Sequence, residues 1–414
     1  MGQQENVSCP PPTVLPKFQH SNRAHPKVSN VGACEYMGAT LPPDRAIPPW
    51  GLPPWTVDFH SEQHAPPEET DFAVVGGGFT GLAAAAWLRH LDPKNRVTLF
   101  ESSRIGACSS GHTGGMALSE TAAGDLPGLG DVLAGFSNIL RDLQVDCDLT
   151  LPGALEIGRS GVLPNSAITW NDCGTLGVTR EVPGGTIDPG KMLSGLAQAA
   201  SKRGALILEN APVENLSMEE SLVLRIDGSQ VRARCVLLAT NAESLELSGL
   251  AGTAEPKFTM AVATGPLSSE QISSLGLSAG KPFYTVDLPY LWGRILHGNR
   301  VIFGSGLVHL GDWRELLTLN VAAGHAADLL ADLEDRVHNL HPALRQVRLS
   351  HRWGGPILIA DKWQPIFRRH AEHRDVIVLG GYSGHGVAQS VYLGAWAAEA
   401  MLGRRELPDW NLPD

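Results

Sequence analysis

The 414-residue sequence has few cysteines, no cluster of basic residues and no long apolar run. Without such a run it has no candidate membrane helix, and its N-terminus lacks the basic and apolar regions of a signal peptide. Its six cysteines stand far apart, with neither a paired motif nor metal-ligand spacing: Cys9, Cys34, Cys108, Cys147, Cys173 and Cys235. We therefore expect reduced thiols, no metal site, no membrane interaction and a cytoplasmic location.

The charge balance is acidic, with a formal net charge of −11 at pH 7. A chain of that sign without a basic patch predicts no nucleic-acid partner and mildly favours a cationic amine. Hydrophobic residues make up 43% of the sequence, which is enough for a large core and for more than one domain.

Glycine, by contrast, is plentiful, and it is concentrated in the stretch "DFAVVGGGFTGLAAAAWLRH" at 71–90. The apolar run 72–75 predicts a strand that is buried on both faces of a parallel sheet. From Leu82 through Leu88 the pattern becomes helical. A strand, a glycine turn and a helix in this order are typical of a phosphate-binding unit.

Each glycine of the turn has a separate use. Gly76 permits a tight turn, Gly78 lets the backbone approach a pyrophosphate, and Gly81 lets the helix pack on the strand. Phe79 and Thr80 lie at the helix N-terminus, whose free N–H groups and positive dipole end attract phosphate.

The acid that completes this pattern follows a second apolar strand. "RVTLF" ends at Glu101, twenty residues after Gly81, where a carboxylate can accept hydrogen bonds from a ribose diol, with Ser102 beside it. The ordered set favours dinucleotide binding over a purely structural glycine turn.

The rest of the chain contains a proline-rich arm and several predicted helices, strands and turns. A proline-rich arm, 1–70, either wraps the surface with Trp50 and Trp55 as anchors or is a disordered leader. Helical spacing covers 129–143, and Asp188 can cap a helix that starts at Pro189 and ends near Gly204. Asp227-Gly228-Ser229 predicts a hairpin turn.

The later segments predict a second layer and a return to the first. Short strand-like runs and a helical stretch from Trp313 to about Leu340 predict an antiparallel layer with a helix on it. The strand–glycine turn–helix order of 71–90 then occurs a second time, with a buried strand at 376–379, a glycine turn and a helix to Gly403. The predicted boundaries are 71–127, 186–245 and 355–414 for the nucleotide domain and 128–185 and 246–354 for the substrate domain.

Together these motifs resemble those of the FAD-dependent amine and amino-acid oxidoreductases, the family of D-amino-acid oxidase, glycine oxidase, sarcosine oxidase and γ-glutamylputrescine oxidase. The resemblance rests on "VVGGGFTGLAAA", "FESSRIGACSSGHTGG", "IDPGKMLSGLAQAASKRGA", "CVLLATNA", "RWGGPILIADKWQP" and "GGYSGHGVAQSVYLG". It implies an α/β (α+β) fold with a Rossmann-like FAD-binding domain and an inserted antiparallel-sheet substrate domain. It also implies hydride transfer from a carbon next to nitrogen to flavin N5, giving an imine, in an N-substituted amine or amino-acid derivative, with oxygen or another electron acceptor.

The resemblance implies a cofactor set beyond the first glycine turn. A small-residue loop suits backbone contact with a diphosphate and a flat ring, and a second glycine turn opens a helix whose positive end can face the flavin pyrimidine edge. The further predicted cofactor residues are Ser109, Ser110, His112, Thr113, Gly114, Gly115, Val213, Thr240, Gly381, Gly384, His385, Gly386 and Val387.

The sequence departs from the family pattern at two positions. His112 stands where many members have arginine, and it resembles the histidine that is covalently joined to flavin in the dimethylglycine and sarcosine dehydrogenase branch. A covalent link is one interpretation, and a neutral histidine that hydrogen-bonds phosphate or ring is the favoured one. A cysteinyl link like that of monomeric sarcosine oxidase is excluded, because no cysteine follows Cys235.

The second departure is Gly355, where D-amino-acid oxidase has the arginine that holds the substrate carboxylate. Either Arg294 or Arg352 replaces it, or the substrate carries no carboxylate at that point. The lysine with which sarcosine oxidase activates oxygen aligns with Ile302, which leaves the acceptor open.

The predicted catalytic residues are His385, Tyr382, Arg294 and Tyr290. Arg294 is the candidate for a substrate anion, although an ion pair is equally compatible with its sequence. Tyr290 and Tyr284 are candidate pocket walls, and Tyr382 lies with His385 in the glycine turn that faces the expected flavin. His385 has a positional role, because a bound amine can arrive neutral. Two other functions stay open: a nicotinamide-dependent dehydrogenase, and a flavin-binding non-catalytic or RNA-modification component.

Overall fold

The structure is a computed structural model that describes residues 49–410. Most of the predicted proline-rich arm, together with Cys9 and Cys34, lies outside the described residues. The four described cysteines are free thiols, as predicted. None of the helices in the described part of the chain is both long and apolar enough to span a membrane.

The described part of the chain alternates strands and helices. The strands are β1 (Glu69–Val75), β2 (Val97–Phe100), β3 (Met116–Leu118), β4 (Ala154–Gly158), β5 (Trp170–Asn171), β6 (Thr175–Val182), β7 (Gly184–Thr186), β8 (Leu206–Leu208), β9 (Val213–Met218), β10 (Leu222–Ile226), β11 (Ser229–Leu238), β12 (Ala254–Thr264), β13 (Phe283–Thr285), β14 (Leu291–Leu296), β15 (Arg300–His309), β16 (Leu349–Ala360), β17 (Ile366–Arg369) and β18 (Val376–Gly380). The helices are α1 (Phe79–Leu91), α2 (Ser109–His112), α3 (Val132–Leu143), α4 (Pro189–Lys202), α5 (Ser269–Ser274), α6 (Gly324–Leu340) and α7 (Gly386–Met401).

The first sheet has the order β17-β18-β11-β1-β2-β8, with β9 and β10 attached beside β11. The central pairs are parallel and β17 is antiparallel to β18. Phe72 and Val74 pack among the helices, whereas Ala73 and Val75 face the opposite core. This alternation confirms a strand buried on both faces, which is why its sequence is apolar throughout.

Local predictions for this sheet and its helices hold in detail. Asp188 caps α4 by accepting a hydrogen bond from Lys191 N at 2.9 Å, and Gly204 beyond the helix has a φ of +87°. Asp227 and Gly228 both have positive φ and connect β10 to β11, the geometry that the predicted hairpin turn requires.

The second sheet has the order β16-β12-β15-β14-β13-β4-β6-β5. It is antiparallel as predicted, apart from the parallel pair β13 and β4. Its β16 crosses the predicted boundary between 354 and 355. A core between the two sheets is completed by α6, and the mixed α/β architecture is therefore confirmed.

The single long helix predicted from Trp313 to Leu340 is wrong. A 3₁₀ helix, Trp313–Thr318, is separated from α6 by an irregular segment. There Val321 donates its N–H to Pro49 O at 2.8 Å, Asn320 Oδ1 accepts from Ala322 N, and Gly324 has a φ of +60°. Helical spacing of apolar residues does not reveal these competing hydrogen bonds.

Candidate cofactor and substrate site

A cavity of about 1020 Å³ lies between the two sheets. Its walls include the residues that follow the carboxyl ends of β1, β2, β11 and β18, where parallel α/β sheets bind their ligands. Strands β13 to β16 of the second sheet form the other wall. One end of the cavity is therefore made of glycine-rich turns and the other of side chains.

The dinucleotide end is shaped by glycines that have no room for a side chain. A Cβ on Gly81 would lie 1.9 Å from Gly76 O, and a Cβ on Gly78 would lie 2.8 Å from Ser110 Oγ. Gly76 itself has a φ of +106°. The contact at Gly81 accounts for the predicted helix packing, and the φ of Gly76 accounts for the predicted tight turn. The approach of a pyrophosphate to Gly78 stays a prediction.

Glu101 lies beside the same turn and lines the cavity. Its Oε2 accepts a hydrogen bond from Gly77 N at 2.8 Å, and its Oε1 accepts from Ser103 N at 2.9 Å. Burial raises the pKa of the Glu101 carboxyl. The backbone N–H groups thus fix this acid in the cavity wall, and its contact with a ribose diol stays a prediction.

The small-residue loop, residues 106–115 and also called the cofactor loop here, lines the cavity. Its backbone carbonyls receive donors that lie outside the cavity lining: Gly111 O from Trp55 Nε1 at 2.7 Å, and His112 O from Trp353 Nε1 at 3.0 Å. Gly114 O accepts from Arg294 Nε at 2.6 Å. The loop is thus held from behind while its opposite side faces the cavity.

His112 lines the cavity and explains the glycine at position 355. Its Nδ1 is 3.1 Å from Cys108 O, and burial lowers the pKa of its imidazole, which favours the neutral ring. A Cβ on Gly355 would lie 2.6 Å from His112 Cβ. The two departures from the family pattern are therefore in contact, and a side chain at 355 would require His112 to move.

The C-terminal glycine turn brings Tyr382 and His385 to the wall. Tyr382 is buried, its hydroxyl lies 2.7 Å from Thr80 Oγ1, and burial raises the pKa of its phenol. Burial lowers the pKa of His385, and its Nδ1 has no hydrogen-bond partner. Next to it, α7 begins without a side-chain cap, so its first turn, Gly386 and Val387, faces the cavity.

Asn241 joins this turn to the earlier loop, a contact that the sequence did not indicate. Its Oδ1 accepts from Gly381 N at 3.1 Å and its Nδ2 donates to Ser109 Oγ at 3.4 Å. Asn241 follows "LLAT" in the sequence and has a φ of +50°, a conformation in which asparagine is common. Its place just after the carboxyl end of an apolar strand, in "CVLLATNA", is the sequence signal that could have identified it.

The substrate end carries a polar network in which sequence reasoning indicated only Tyr284, as a candidate pocket wall. Tyr284 Oη donates to Glu120 Oε1 at 3.0 Å, and Arg180 Nη2 is also 3.0 Å from that oxygen. Arg180 Nε donates to Glu156 at 2.6 Å. Burial, followed by the charge of Glu120, raises the pKa of Tyr284 and keeps it a donor. These residues come from four separate segments with no common motif.

A lip over the mouth of the cavity is formed by residues 286–290. Buried Asp172 pairs with Arg336 at 2.7 Å and with Arg159 at 3.3 Å. Arg159 donates to Leu288 O, and Arg336 donates to the carbonyl oxygens of the next two residues. The lip backbone is therefore fixed, while the side chain of Tyr290 in it is 42% exposed.

Most predicted site residues line the cavity. Those that do are Gly76, Gly78, Phe79, Thr80, Glu101, Ser102, Ser109, Ser110, His112, Thr113, Gly114, Val213, Thr240, Tyr290, Tyr382, Gly384, His385, Gly386 and Val387. Gly81, Gly115 and Gly381 lie behind the wall. Arg294 is also behind it: it is buried against Gly114, and desolvation lowers its pKa to about 10.

Arg294 and Arg352 therefore have no access to a substrate anion. Arg352 forms an ion pair with Glu334 and does not line the cavity. Arg180 is the one arginine or lysine among the described residues of the wall, and two glutamates already pair with it.

The cavity fits a flavin dinucleotide by its own features. Two buried polar atoms of wall residues, Thr240 Oγ1 and His385 Nδ1, have no partner in the protein. The first turns of α1 and α7 both open into it, and neither is capped by the side chain of its N-cap residue, although Phe79 N in α1 donates to Ser110 Oγ at 3.0 Å. Helix N-termini of this kind suit a diphosphate and an electron-rich ring edge.

Comparison with known proteins agrees with this geometry. A model of the FAD dependent oxidoreductase family matches residues 71–400. γ-Glutamylputrescine oxidoreductase of Escherichia coli is 28% identical over 390 residues, which cover 83% of this chain and 86% of that protein.

Two solved structures share the fold. Glycine oxidase of Geobacillus kaustophilus has a TM-score of 0.65 at 18% identity, covering 82% of this chain and 96% of that one. L-Proline dehydrogenase of P. horikoshii also has a TM-score of 0.65, at 17% identity, and covers 83% and 96%.

Proposed function

Because the chain belongs to the FAD dependent oxidoreductase family, we propose that it oxidises the C–N bond of an amine or amino-acid derivative whose reacting carbon carries no free carboxylate. The family membership confirms the predicted FAD and the predicted oxidoreductase activity toward amines or amino acids. The class of substrate within that range is the proposal.

This proposal rests on the net negative charge of the side chains at the substrate end of the cavity. Glu120 and Glu156 flank Arg180, so the three side chains leave one negative charge there. A carboxylate next to the reacting carbon would meet this negative charge without an unpaired arginine to receive it. A protonated amine would instead be attracted to Glu120.

The wall residues at the dinucleotide end and the loop around His112 would hold the FAD. The chemistry that bound FAD would supply is acceptance of a hydride from the carbon next to nitrogen. The first turn of α7, with its positive dipole end toward the cavity, would stabilise negative charge on a ring held there.

The remaining tasks belong to three side chains. Glu120 orients the substrate nitrogen, and Tyr284 fixes Glu120 by donating its hydroxyl hydrogen. His385, held neutral by burial, accepts the proton that an incoming ammonium must lose before its nitrogen lone pair can assist C–H cleavage. Its ring lies 6.5 Å from that of Tyr284, centroid to centroid, which places both groups at one end of the cavity.

Matched substrates test the proposal. FAD-loaded protein is mixed without oxygen with an amine and with its analogue that bears a carboxylate on the reacting carbon, and bleaching of the flavin is timed. We expect the amine to bleach the flavin faster. Preference for the carboxylated partner would contradict the substrate class, and a colourless purified protein would contradict the cofactor.

Two further predictions, the electron acceptor and the cellular location, each have a separate test. Readmitting air after bleaching distinguishes an oxidase, which recolours, from a dehydrogenase, which needs another acceptor. The cytoplasmic location predicted from the sequence is tested by cell fractionation of the native chain.

A further inference from the structure

We propose that the segment 49–61, here named the strap, is a positioning element of the cofactor site and that Trp55 is its principal positioning residue. The strap precedes the part of the chain that the family model matches, which begins at residue 71. Its described residues do not line the cavity. They act on the loop that does.

Trp55 makes the most direct contact. Its side chain is buried, and its Nε1 donates to Gly111 O at 2.7 Å, within the four-residue helix α2. Its ring meets that of Trp353 edge-on, with centroids 5.6 Å apart, and Trp353 donates to the next carbonyl, His112 O. Two indoles thus hold consecutive carbonyls at the end of α2, which would otherwise lack partners.

The strap also contacts both ends of the loop. At one end, Trp50 accepts a hydrogen bond at its carbonyl from Gly354 N, at 2.8 Å, and its ring lies edge-on to His112 at 5.5 Å. At the other end, a Cβ on Gly106 would lie 2.7 Å from Val57 Cγ2.

An acid extends this contact beyond Val57. Glu209 Oε2 accepts from Ser61 N and its Oε1 accepts from Ile105 N, at 2.8 and 2.7 Å. The strap therefore follows the cofactor loop along its length.

These contacts favour one orientation of the loop backbone. Because Gly111 O and His112 O are satisfied by donors outside the cavity, the loop has no need to turn those carbonyls toward the cavity. A carbonyl dipole facing a diphosphate or a reduced flavin would repel it. The strap thus prepares the loop for an electron-rich ligand.

The test compares two buried tryptophans. Trp55→Phe keeps an aromatic ring but removes the N–H donor. Trp170→Phe is the matched control, because Trp170 is also buried, donates to a backbone carbonyl, Leu275 O, at 3.1 Å, and lies edge-on to Phe283. Each purified full-length protein is measured for its thermal midpoint, its flavin-to-protein ratio after dialysis and the visible spectrum of the bound flavin.

We expect both variants to lower the thermal midpoint, and Trp55→Phe alone to reduce flavin retention, by about tenfold, and to change the flavin spectrum. Equal flavin retention in the two variants would overturn the proposal. If Trp55→Phe does not fold, Val57→Ala removes the contact with Gly106 at lower cost to the core. A roughly threefold loss of flavin with this variant supports the positioning role, and full retention refutes it.

Discussion

The two ends of the cavity are built on different principles. At the dinucleotide end, recognition comes from the backbone and from the space that glycines leave empty. At the substrate end it comes from Glu120, Glu156, Arg180 and Tyr284, which separate segments bring together. The first end serves a cofactor that the whole family uses, and the second is free to vary with the substrate.

The largest effect is expected from breaking the backbone end. Gly81→Ala would place a Cβ 1.9 Å from Gly76 O, so we expect the purified protein to contain no flavin. Gly265→Ala is the control, because its Cβ would meet nothing closer than Arg348 O at 3.4 Å. Absorbance of the bound flavin measures both. Normal flavin content in Gly81→Ala would show that the close packing is dispensable.

At the substrate end, removal of the charge of Glu120 should lower the activity without loss of the cofactor. Glu120→Gln is expected to lower kcat/KM for a cationic amine by roughly 10- to 100-fold, the value of a hydrogen bond to a charged group. The flavin spectrum should not change. Glu181→Gln is the control, since Glu181 pairs with Lys281 outside the cavity wall. Equal kinetics for the two variants would remove Glu120 from substrate binding.

A smaller effect is expected from His385, because a bound amine can also arrive neutral. Burial lowers the pKa of His385, so its neutral, proton-accepting form persists below the usual value of about 6.5 and is lost as the pH falls further. The rate of flavin bleaching should therefore decline in acid, and His385→Asn should flatten that decline. An unchanged acid limb in the variant would assign it to another group.

The same shift has a consequence for stability. A histidine with a lowered pKa in the folded state opposes protonation, so its stabilising contribution is present above the unfolded pKa and is lost as the pH falls. His385→Asn should therefore reduce the acid sensitivity of the thermal midpoint. Identical pH dependence in the wild type and the variant would contradict this.

The smallest effect is expected for the bond between protein and flavin. We favour a neutral His112 that is hydrogen-bonded through Nδ1 to Cys108 O, and therefore expect acid precipitation to release the flavin into the supernatant. Colour that stays in the wild-type pellet and disappears from that of His112→Ala would establish the covalent link instead.

The difference between the two ends also decides what sequence reasoning could predict. Gly76, Gly78, Gly81 and Glu101 act through local geometry, and local geometry leaves a periodic pattern in the sequence. Most of the predicted cofactor residues accordingly line the cavity. Glu120 left no such pattern, because its role depends on the register that places Tyr284 on β13 beside it.

Arg294 is the opposite case, a residue that the sequence predicted for the site but that lies behind the cavity wall. An arginine in a strand of the substrate sheet was a reasonable anion ligand. Arg294 lies on the same face of β14 as Trp292, but Trp292 lines the cavity, whereas the Arg294 guanidinium, two residues further along the strand, donates to Gly114 O behind the wall. Likewise, the incompatibility of a side chain at 355 with His112 is a contact between positions 243 residues apart. No reading of either position alone would have revealed it.

The clamp of Asp172, Arg159 and Arg336 has a consequence for how such a protein can change. It holds the lip through the main-chain carbonyls of residues 288–290 and through the carboxylate of Asp287, which accepts a hydrogen bond from Arg159 N at 2.6 Å. The hydrogen bonds of the clamp do not involve the side chains of Leu288 and Tyr290. Leu288 and Tyr290 can therefore be substituted while the main-chain hydrogen bonds that hold the lip are kept. Substitutions at the mouth of the cavity could therefore change the selectivity for amines without altering the residues that bind the flavin.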